Sequence, residues 1–337
     1  MTGIGASGRS IKPGTTAPYA ANSKGGTDAR LYQTIVTEMD RGASYYPAAA
    51  EALRAGGFPL RPFIAFRLPT LATLLTLLPA PMPRGMIFLL IAAVVALWTA
   101  RLSEAFGSRT RLAIGAALIL CGSVVAAQPG MILFHETWAA LLIALSLALR
   151  RRDRWIGSVV AGLCAVLIRE TAIAYVLAMG ILALIDGKKR EGAAWGAVIA
   201  VFAGYLLWHV GQVAAVTSAA DPVSSGWNGM GGWTFFIAAM RLTTPLTLFP
   251  QWLSAILIPL ALLGWISWRT PFALRTSLTL IGYAVMLMVF ARPDNFYWGL
   301  LIAPLLLLGL MFVPAALTDL IVPFRRPALD SDAAARH

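Results

Sequence analysis

The chain alternates between long apolar segments and short polar connections over most of its length. Nine apolar segments predict membrane-spanning helices: 86–103, 112–130, 136–149, 155–168, 171–186, 193–213, 251–268, 276–291 and 297–322. Several are shorter than the ~20 residues that cross a hydrocarbon core of ~30 Å, and short spans are tolerated where they border a water-filled cavity. The pattern therefore predicts an all-α polytopic membrane protein with about nine transmembrane helices, in a multispan domain at 62–323.

Residues 1–61 form a polar N-terminal segment without an apolar run that could span a membrane. Residues 1–26 are rich in Gly, Ser, Thr and Ala, a composition that predicts disorder. Apolar residues at helical spacing between 32 and 43 predict a short amphipathic helix, and a second is predicted between Pro47 and Gly56. Helices of this kind suit the membrane interface better than its interior.

The segment 62–80 is apolar but is interrupted by Arg67 and Pro69. Its uninterrupted part, 68–78, is too short to cross the hydrocarbon core, so we predict a juxtamembrane or re-entrant helix. In the alternative, 62–80 crosses the membrane, and residues 1–61 then lie on the opposite side from Glu136.

Composition supports the membrane assignment. Hydrophobic residues make up 58% of the 337 and charged residues 12%, whereas soluble domains carry about 25% charge. Cys121 and Cys164 fall inside apolar segments, which indicates small buried hydrophobes and not a disulfide framework or a Cys-based metal site.

The net charge of +12 is distributed as expected for a membrane protein. Of the 27 Lys and Arg residues, 15 lie in alternate connections or in the tail 324–337. This is the positive-inside distribution, and it predicts a cytoplasmic C-terminus. No basic tract with interleaved aromatic residues indicates a nucleic-acid surface, so we expect no nucleic-acid partner.

Two ionisable pairs are predicted at one face of the membrane: His135 with Glu136, and Arg169 with Glu170. The arginine-rich block 150–154 marks the opposite face. Charged side chains at apolar boundaries are costly unless they have a function or a partner, so these four are functional candidates.

Each of these candidates also has a structural interpretation. Glu136 could complement a helix dipole, Arg169 could pair with Glu136 or Glu170, and an interfacial His135 is more often simply a satisfied polar residue. In the functional interpretation, the planar guanidinium of Arg169 holds phosphate oxygens, and His135 binds sugar or relays a proton.

Other polar residues interrupt the apolar pattern elsewhere. Arg292 opens the polar island 292–298 and is an alternative phosphate ligand, unless the island is an interfacial turn. Arg67 contacts either substrate or lipid headgroups. The connection 214–250 contains Gly, Pro and Trp, which predicts an ordered lid or a substrate-contacting loop. No His/carboxylate spacing indicates a metal site.

Three stretches resemble the GT-C superfamily of membrane glycosyltransferases, which use lipid-linked sugars. They are a tyrosine-rich segment (28–32, 42–50 and 56–59), the proline-containing 67–71, and Glu136 ahead of a leucine-rich span, followed by the arginine block, Trp155, Gly157, 162–163 and Arg169. The resemblance covers about 28–190, and it is carried by the order and spacing of these stretches and not by a single motif.

The resemblance implies a GT-C-like fold and a glycosyltransferase in the bacterial inner membrane. The donor would be a polyprenyl-phosphate-linked sugar and the acceptor would be extracytoplasmic, so the partners are membrane lipid and lipid-linked sugar, with no further cofactor. Asp28 would be the general base, with Asp40 the second candidate, and Glu136 would be the acid of the family's second outer loop. The candidate substrate-binding residues are Arg169, His135, Glu170, Arg292, Arg67 and Tyr32. The structural alternative for Asp28 is a helix N-cap.

The chain departs from the family in one respect, because the family places a spanning helix before the Asp-bearing loop. Either an upstream span is missing, or 62–80 crosses, or residues 1–61 are translocated without a preceding span. Eight basic residues from Arg9 to Arg67, against four acidic ones, mildly favour a cytoplasmic location for this segment.

The alternative function is a non-catalytic multispan protein: a transporter, a flippase or an envelope-assembly scaffold. A transporter would be expected to show paired broken helices in two related halves, and the sequence has no such internal symmetry.

Overall fold

A computed structural model of the chain describes residues 24–321. Most of the segment predicted to be disordered, 1–23, and the predicted cytoplasmic tail, 324–337, lie outside the described residues. Between residues 24 and 321 the protein is helical and contains no strand, with a single isolated bridge between Arg61 and Val223. The all-α prediction is confirmed for this part of the chain.

The helices follow one another with short connections. The α-helices are α1 Lys24–Asp40, α2 Tyr45–Ala55, α3 Thr70–Leu77, α4 Met82–Ser103, α5 Arg109–Ser123, α6 His135–Leu149, α7 Ile156–Ile168, α8 Ile173–Ile185, α9 Lys189–Val216, α10 Gly232–Leu242, α11 Gln251–Ser267, α12 Pro271–Phe290, α13 Ala303–Leu306 and α14 Val313–Ile321. Short 3-10 segments lie at Phe63–Ala65, Val124–Ala127, Met131–Leu133, Glu170–Ala172, Pro245–Leu248, Pro293–Ile302 and Leu307–Phe312.

Five helical segments are long and apolar enough to cross a membrane: α4, Arg109–Ala127, α9, α12 and Pro293–Asp319. The other predicted spans are shorter apolar helices, namely α6, α7, α11 and Glu170–Ile185. Every predicted span therefore coincides with helix, which indicates a membrane protein. The count of nine crossings stays a prediction, because the four shorter helices fall below the usual spanning length.

The described segment before α4 contains no helix that is long and apolar enough to span a membrane. α3 has eight residues, which is roughly 12 Å of helix and far less than the ~30 Å hydrocarbon core. α1 packs against α2, α3 and the turn Met131–Leu133 that precedes α6. Residues 28–80 therefore lie at the same end of the bundle as the start of α6. Whether this segment is juxtamembrane or re-entrant stays a prediction.

Two regions differ from the simple pattern of spans and loops. The connection 214–250 contains a helix, α10, which buries Phe236, Ala239 and Met240. The last apolar segment is not one regular α-helix but alternates 3-10 and α-helical turns. Pro304 and Pro314 lack the backbone N–H that a continuous α-helix uses as a hydrogen-bond donor. The hydropathy pattern does not predict the resulting change of helix type.

Glycines set the closest approach between α11 and the last apolar segment. A Cβ added at Gly264 would overlap the carbonyl oxygen of Gly309, and one added at Gly309 would overlap that of Ala261. In lipid, helices associate through van der Waals packing, and small residues allow such close backbone contact.

We predict that Gly264→Ala lowers the free energy of unfolding in detergent by about 1–3 kcal/mol. The added methyl group would force the backbone of α11 away from that of the last apolar segment. Gly282→Ala in α12 is the control, since its added methyl group meets nothing within 4 Å and alanine favours helix. Thermal unfolding should place the first variant below the wild type and the second at or above it. Equal melting temperatures would contradict the close-contact explanation.

Candidate active site

A cavity of about 120 Å³ lies between α1, α2, the segment before α3, the connection after α9 and the turn Pro293–Ile302. Its walls combine charged, aromatic and small polar side chains. The polar and aromatic lining residues are Asp28, Tyr32, Tyr45, Phe58, Phe66, Arg67, Ser224, Trp227, Arg292, Asp294, Asn295 and Tyr297. Clefts with apolar walls and a few convergent polar groups are the usual form of a ligand site.

Asp28 contributes a carboxyl group to the cavity wall. It lies inside α1, not at the N-cap, and only 9% of its surface is exposed. Burial raises the pKa of Asp28 to about 6, although Arg67 and a hydrogen bond with Tyr297 oppose the shift. A carboxyl with a pKa near neutrality can exchange a proton at physiological pH.

Arg67 connects the cavity to the interior of the bundle. Its Nε donates to the Tyr32 hydroxyl at 3.0 Å, its Nη2 to the Tyr297 hydroxyl at 3.2 Å, and its Nη1 to Glu170 Oε1 at 3.4 Å. The Tyr45 hydroxyl donates to the backbone carbonyl of Arg67 at 2.7 Å. The guanidinium is thereby held in one orientation against the wall that carries Asp28.

Arg169 and Glu136 form an ion pair behind this wall. Arg169 Nε lies 2.7 Å from Glu136 Oε1, both side chains are almost fully buried, and Arg169 also contacts Glu170. The predicted proximity of the two ionisable pairs is thus seen in the structure. Neither Arg169 nor Glu136 lines the cavity.

The remaining candidates lie at different distances from the cavity. His135 is 4% exposed, and its ring packs edge-on against that of Tyr32 with the ring centroids 5.4 Å apart. Both residues line a second, smaller cavity. Asp40 is exposed at the far end of α1, roughly 18 Å along the helix from Asp28. The structure therefore brings Asp28 to the cavity and leaves Asp40 outside it.

Arg292 is the second guanidinium at the cavity. Its Nη1 donates to Ser225 Oγ at 2.6 Å and to the Gly226 carbonyl at 3.1 Å, and its Nη2 to Asp294 Oδ2 at 3.3 Å. Its side chain is 26% exposed, compared with 16% for that of Arg67. Arg292 is therefore the more accessible of the two cations.

The connection after α9 is held next to the cavity by hydrogen bonds to α2. Arg54 donates from Nε and Nη2 to the two carboxylate oxygens of Asp221, both at 2.8 Å. These bonds hold the pKa of Asp221 well below its usual range. Ser224 and Trp227 then line the cavity. The role of this connection as a lid or a substrate-contacting loop stays a prediction.

Some site residues do not stand out in the sequence. The position of Tyr297 next to an apolar segment is typical of an interfacial aromatic belt, yet its side chain contacts both Arg67 and Asp28. Asp294 and Asn295 line the same wall. The sequence feature that could have identified all three residues is the polar island 292–298, which lies between two apolar segments.

Within residues 24–321, no group of three or more His, Cys, Asp or Glu side chains could hold a metal ion. Comparisons with known proteins add no assignment: no protein-family model, no curated protein and no solved structure matches this chain.

We predict that Arg169→Gln is strongly destabilising, by about 3 kcal/mol or more, because it leaves Glu136 buried without its cation. Glu136→Gln should cost less, since Arg169 retains Glu170. The double variant should cost less than the sum of the single variants.

Thermal unfolding in detergent would measure this cycle. Arg41→Gln is the control, because its ion pair with Glu38 is exposed and such pairs contribute about 0–1 kcal/mol. Strict additivity of the two buried substitutions would show that the pair is not coupled.

Proposed function

We propose that the protein is a membrane glycosyltransferase that moves a sugar from a polyprenyl-phosphate donor to an acceptor on the extracytoplasmic side of a bacterial inner membrane. The observation that carries the proposal is Asp28, a buried carboxyl with a pKa of about 6 on the wall of a polar and aromatic cavity at one end of an apolar helical bundle. The GT-C-like pattern of residues 28–190 supports the same reaction class.

In this proposal Asp28 is the general base. It accepts the proton of the acceptor hydroxyl while the acceptor oxygen bonds to the anomeric carbon of the sugar. The bond from that carbon to the phosphate oxygen breaks, and polyprenyl phosphate leaves as an anion. A phosphate leaving group needs no strong general acid, so one carboxylate and nearby cations suffice.

The surrounding residues have separate roles. Arg292, the more exposed cation, is assigned to the donor phosphate, because a guanidinium can offer two parallel donors to phosphate oxygens. Tyr297 orients Asp28 through a hydrogen bond. Arg67 attracts the Asp28 carboxylate electrostatically and donates to the Tyr297 hydroxyl. Glu136, Arg169 and Glu170 act from behind the wall as positioning residues, by fixing Arg67 through Glu170.

The cavity's location supports the proposed side of the membrane. It lies at the end of the bundle opposite the arginine-rich block 150–154, and basic connections favour the cytoplasmic side. The cavity end then faces outward, where a lipid-linked sugar and an envelope acceptor would meet.

We predict that Asp28→Asn lowers sugar transfer by about 10²–10⁴-fold, the usual contribution of a general base. Release of polyprenyl phosphate from a panel of polyprenyl-phosphate sugars would report the activity, whichever acceptor receives the sugar. Asp40→Asn is the matched control on the same helix and should retain activity. Full activity of the Asp28 variant would reject the proposed base.

We also predict a pH dependence set by Asp28. Because the base must be deprotonated, kcat/KM should fall about tenfold per pH unit below pH ~6 and level off above it. The raised pKa penalises the charged form in the folded protein, so Asp28→Asn should be at least as stable as the wild type at pH 7–8. That stability advantage should shrink as the pH falls through about 6 toward the ordinary value of 3.8. A pH profile without a limb near 6 would contradict the assignment.

A further inference from the structure

A network of ion pairs organises the end of the bundle opposite the cavity. Arg150 in the α6–α7 connection donates from Nε and Nη2 to the two carboxylate oxygens of Glu191, both at 2.9 Å, and lies 3.7 Å from Asp186. Arg275 at the start of α12 also pairs with Asp186. These contacts bring the α6–α7 and α8–α9 connections and the start of α12 to one surface.

Two further contacts attach the neighbouring connections to the same surface. Arg151 lies 2.6 Å from Glu104, which follows α4, and Lys188 lies 3.9 Å from Asp153. The acids Glu104, Asp153, Asp186 and Glu191 are therefore all engaged by basic side chains of this network. None of these four is left to neutralise the exposed cations around them.

The remaining charge at this end is strongly positive. Seven exposed basic residues have no acidic partner within 4 Å among the described residues: Arg109, Arg111, Arg152, Arg154, Lys189, Arg190 and Arg269. Among residues 28–319, this end carries twelve basic and five acidic side chains, whereas the cavity end carries nine basic and eight acidic ones. The excess is confined to one end of the bundle.

The exposed cations lie beside side chains that face outward from the bundle. Ile156, 67% exposed, follows Arg152 and Arg154, and Ile185, 73% exposed, precedes Lys189 and Arg190. Each connection thus places guanidinium or ammonium groups next to an exposed apolar helix end. This is the arrangement of a membrane–water boundary, where the headgroups of the lipid lie next to its acyl chains.

We propose that this cationic surface, centred on Arg152, Arg154, Lys189 and Arg190, binds the phosphate headgroups of anionic phospholipids. The partner is a lipid and not a soluble anion, because the cations flank exposed apolar side chains that only an acyl chain would cover. Basic clusters next to membrane helices attract anionic lipid, and salt screens the attraction. The surface is independent of the proposed active site at the other end.

The experiment measures lipid retained by the purified protein after detergent exchange from nanodiscs that contain equal amounts of phosphatidylcholine and phosphatidylglycerol. Nanodiscs expose both leaflets, so the result does not depend on insertion orientation. The wild type should retain phosphatidylglycerol in preference to phosphatidylcholine. A variant with Arg152, Arg154, Lys189 and Arg190 all changed to Gln should lose about tenfold or more of that preference.

The matched comparison uses two pairs of substitutions. Arg152→Gln with Arg154→Gln should lower the preference severalfold, whereas Arg41→Gln with Arg84→Gln, exposed cations at the cavity end, should leave it unchanged. Thermal unfolding would check that each variant is folded. Equal retention of both lipids by the wild type, or equal losses in the two double variants, would overturn the proposal.

A competition experiment separates a lipid from a free anion as the ligand. Inorganic phosphate should displace phosphatidylglycerol no better than sodium chloride at equal ionic strength, because the lipid is also held by its acyl chains. Selective displacement by phosphate would show a site for free phosphate and would overturn the assignment to lipid.

Discussion

The cost of burying charge is the constraint on which the arrangement of this bundle depends. A charge removed from water must find a partner of opposite sign or lose several kcal/mol. Glu136, Arg169 and Glu191 are essentially fully buried, and each is paired with a residue distant in sequence. These pairs join α6 to the end of α7 at one end of the bundle, and α6 to α9 at the other.

The same constraint divides the residues around the cavity into two layers. Glu136 and Arg169 pair with each other in the interior, behind the cavity wall. Asp28 and Arg67 lie at the boundary, where burial is incomplete and a carboxyl group can still change its protonation state. The successive contacts Glu136–Arg169–Glu170–Arg67 therefore connect the interior ion pair to the wall that carries Asp28.

Much of the fold follows from hydropathy alone, because each predicted span coincides with helix and α1, α2 and α3 lie where amphipathic or interrupted segments predict them. The helix α10 inside the connection 214–250 is not predicted, since its three buried residues are too few to stand out among Gly, Pro and Trp. The irregular last segment is not predicted either. Its 3-10 turns follow from prolines and from backbone contacts with α11, neither of which changes hydropathy.

The sequence by itself determined the helical class, the positions of the apolar segments and the concentration of basic residues in alternate connections, because these depend on local composition and period. It also identified Asp28, Glu136, Arg67, Arg169 and Arg292 as candidates. Only the tertiary structure decided which of them share a cavity. Asp28 and Asp40 have similar local surroundings, and Arg67 and Arg169 are both arginines at apolar boundaries. The residues of each pair differ in burial and in their hydrogen-bond or ion-pair partners. Both properties arise from packing between segments that are far apart in the chain.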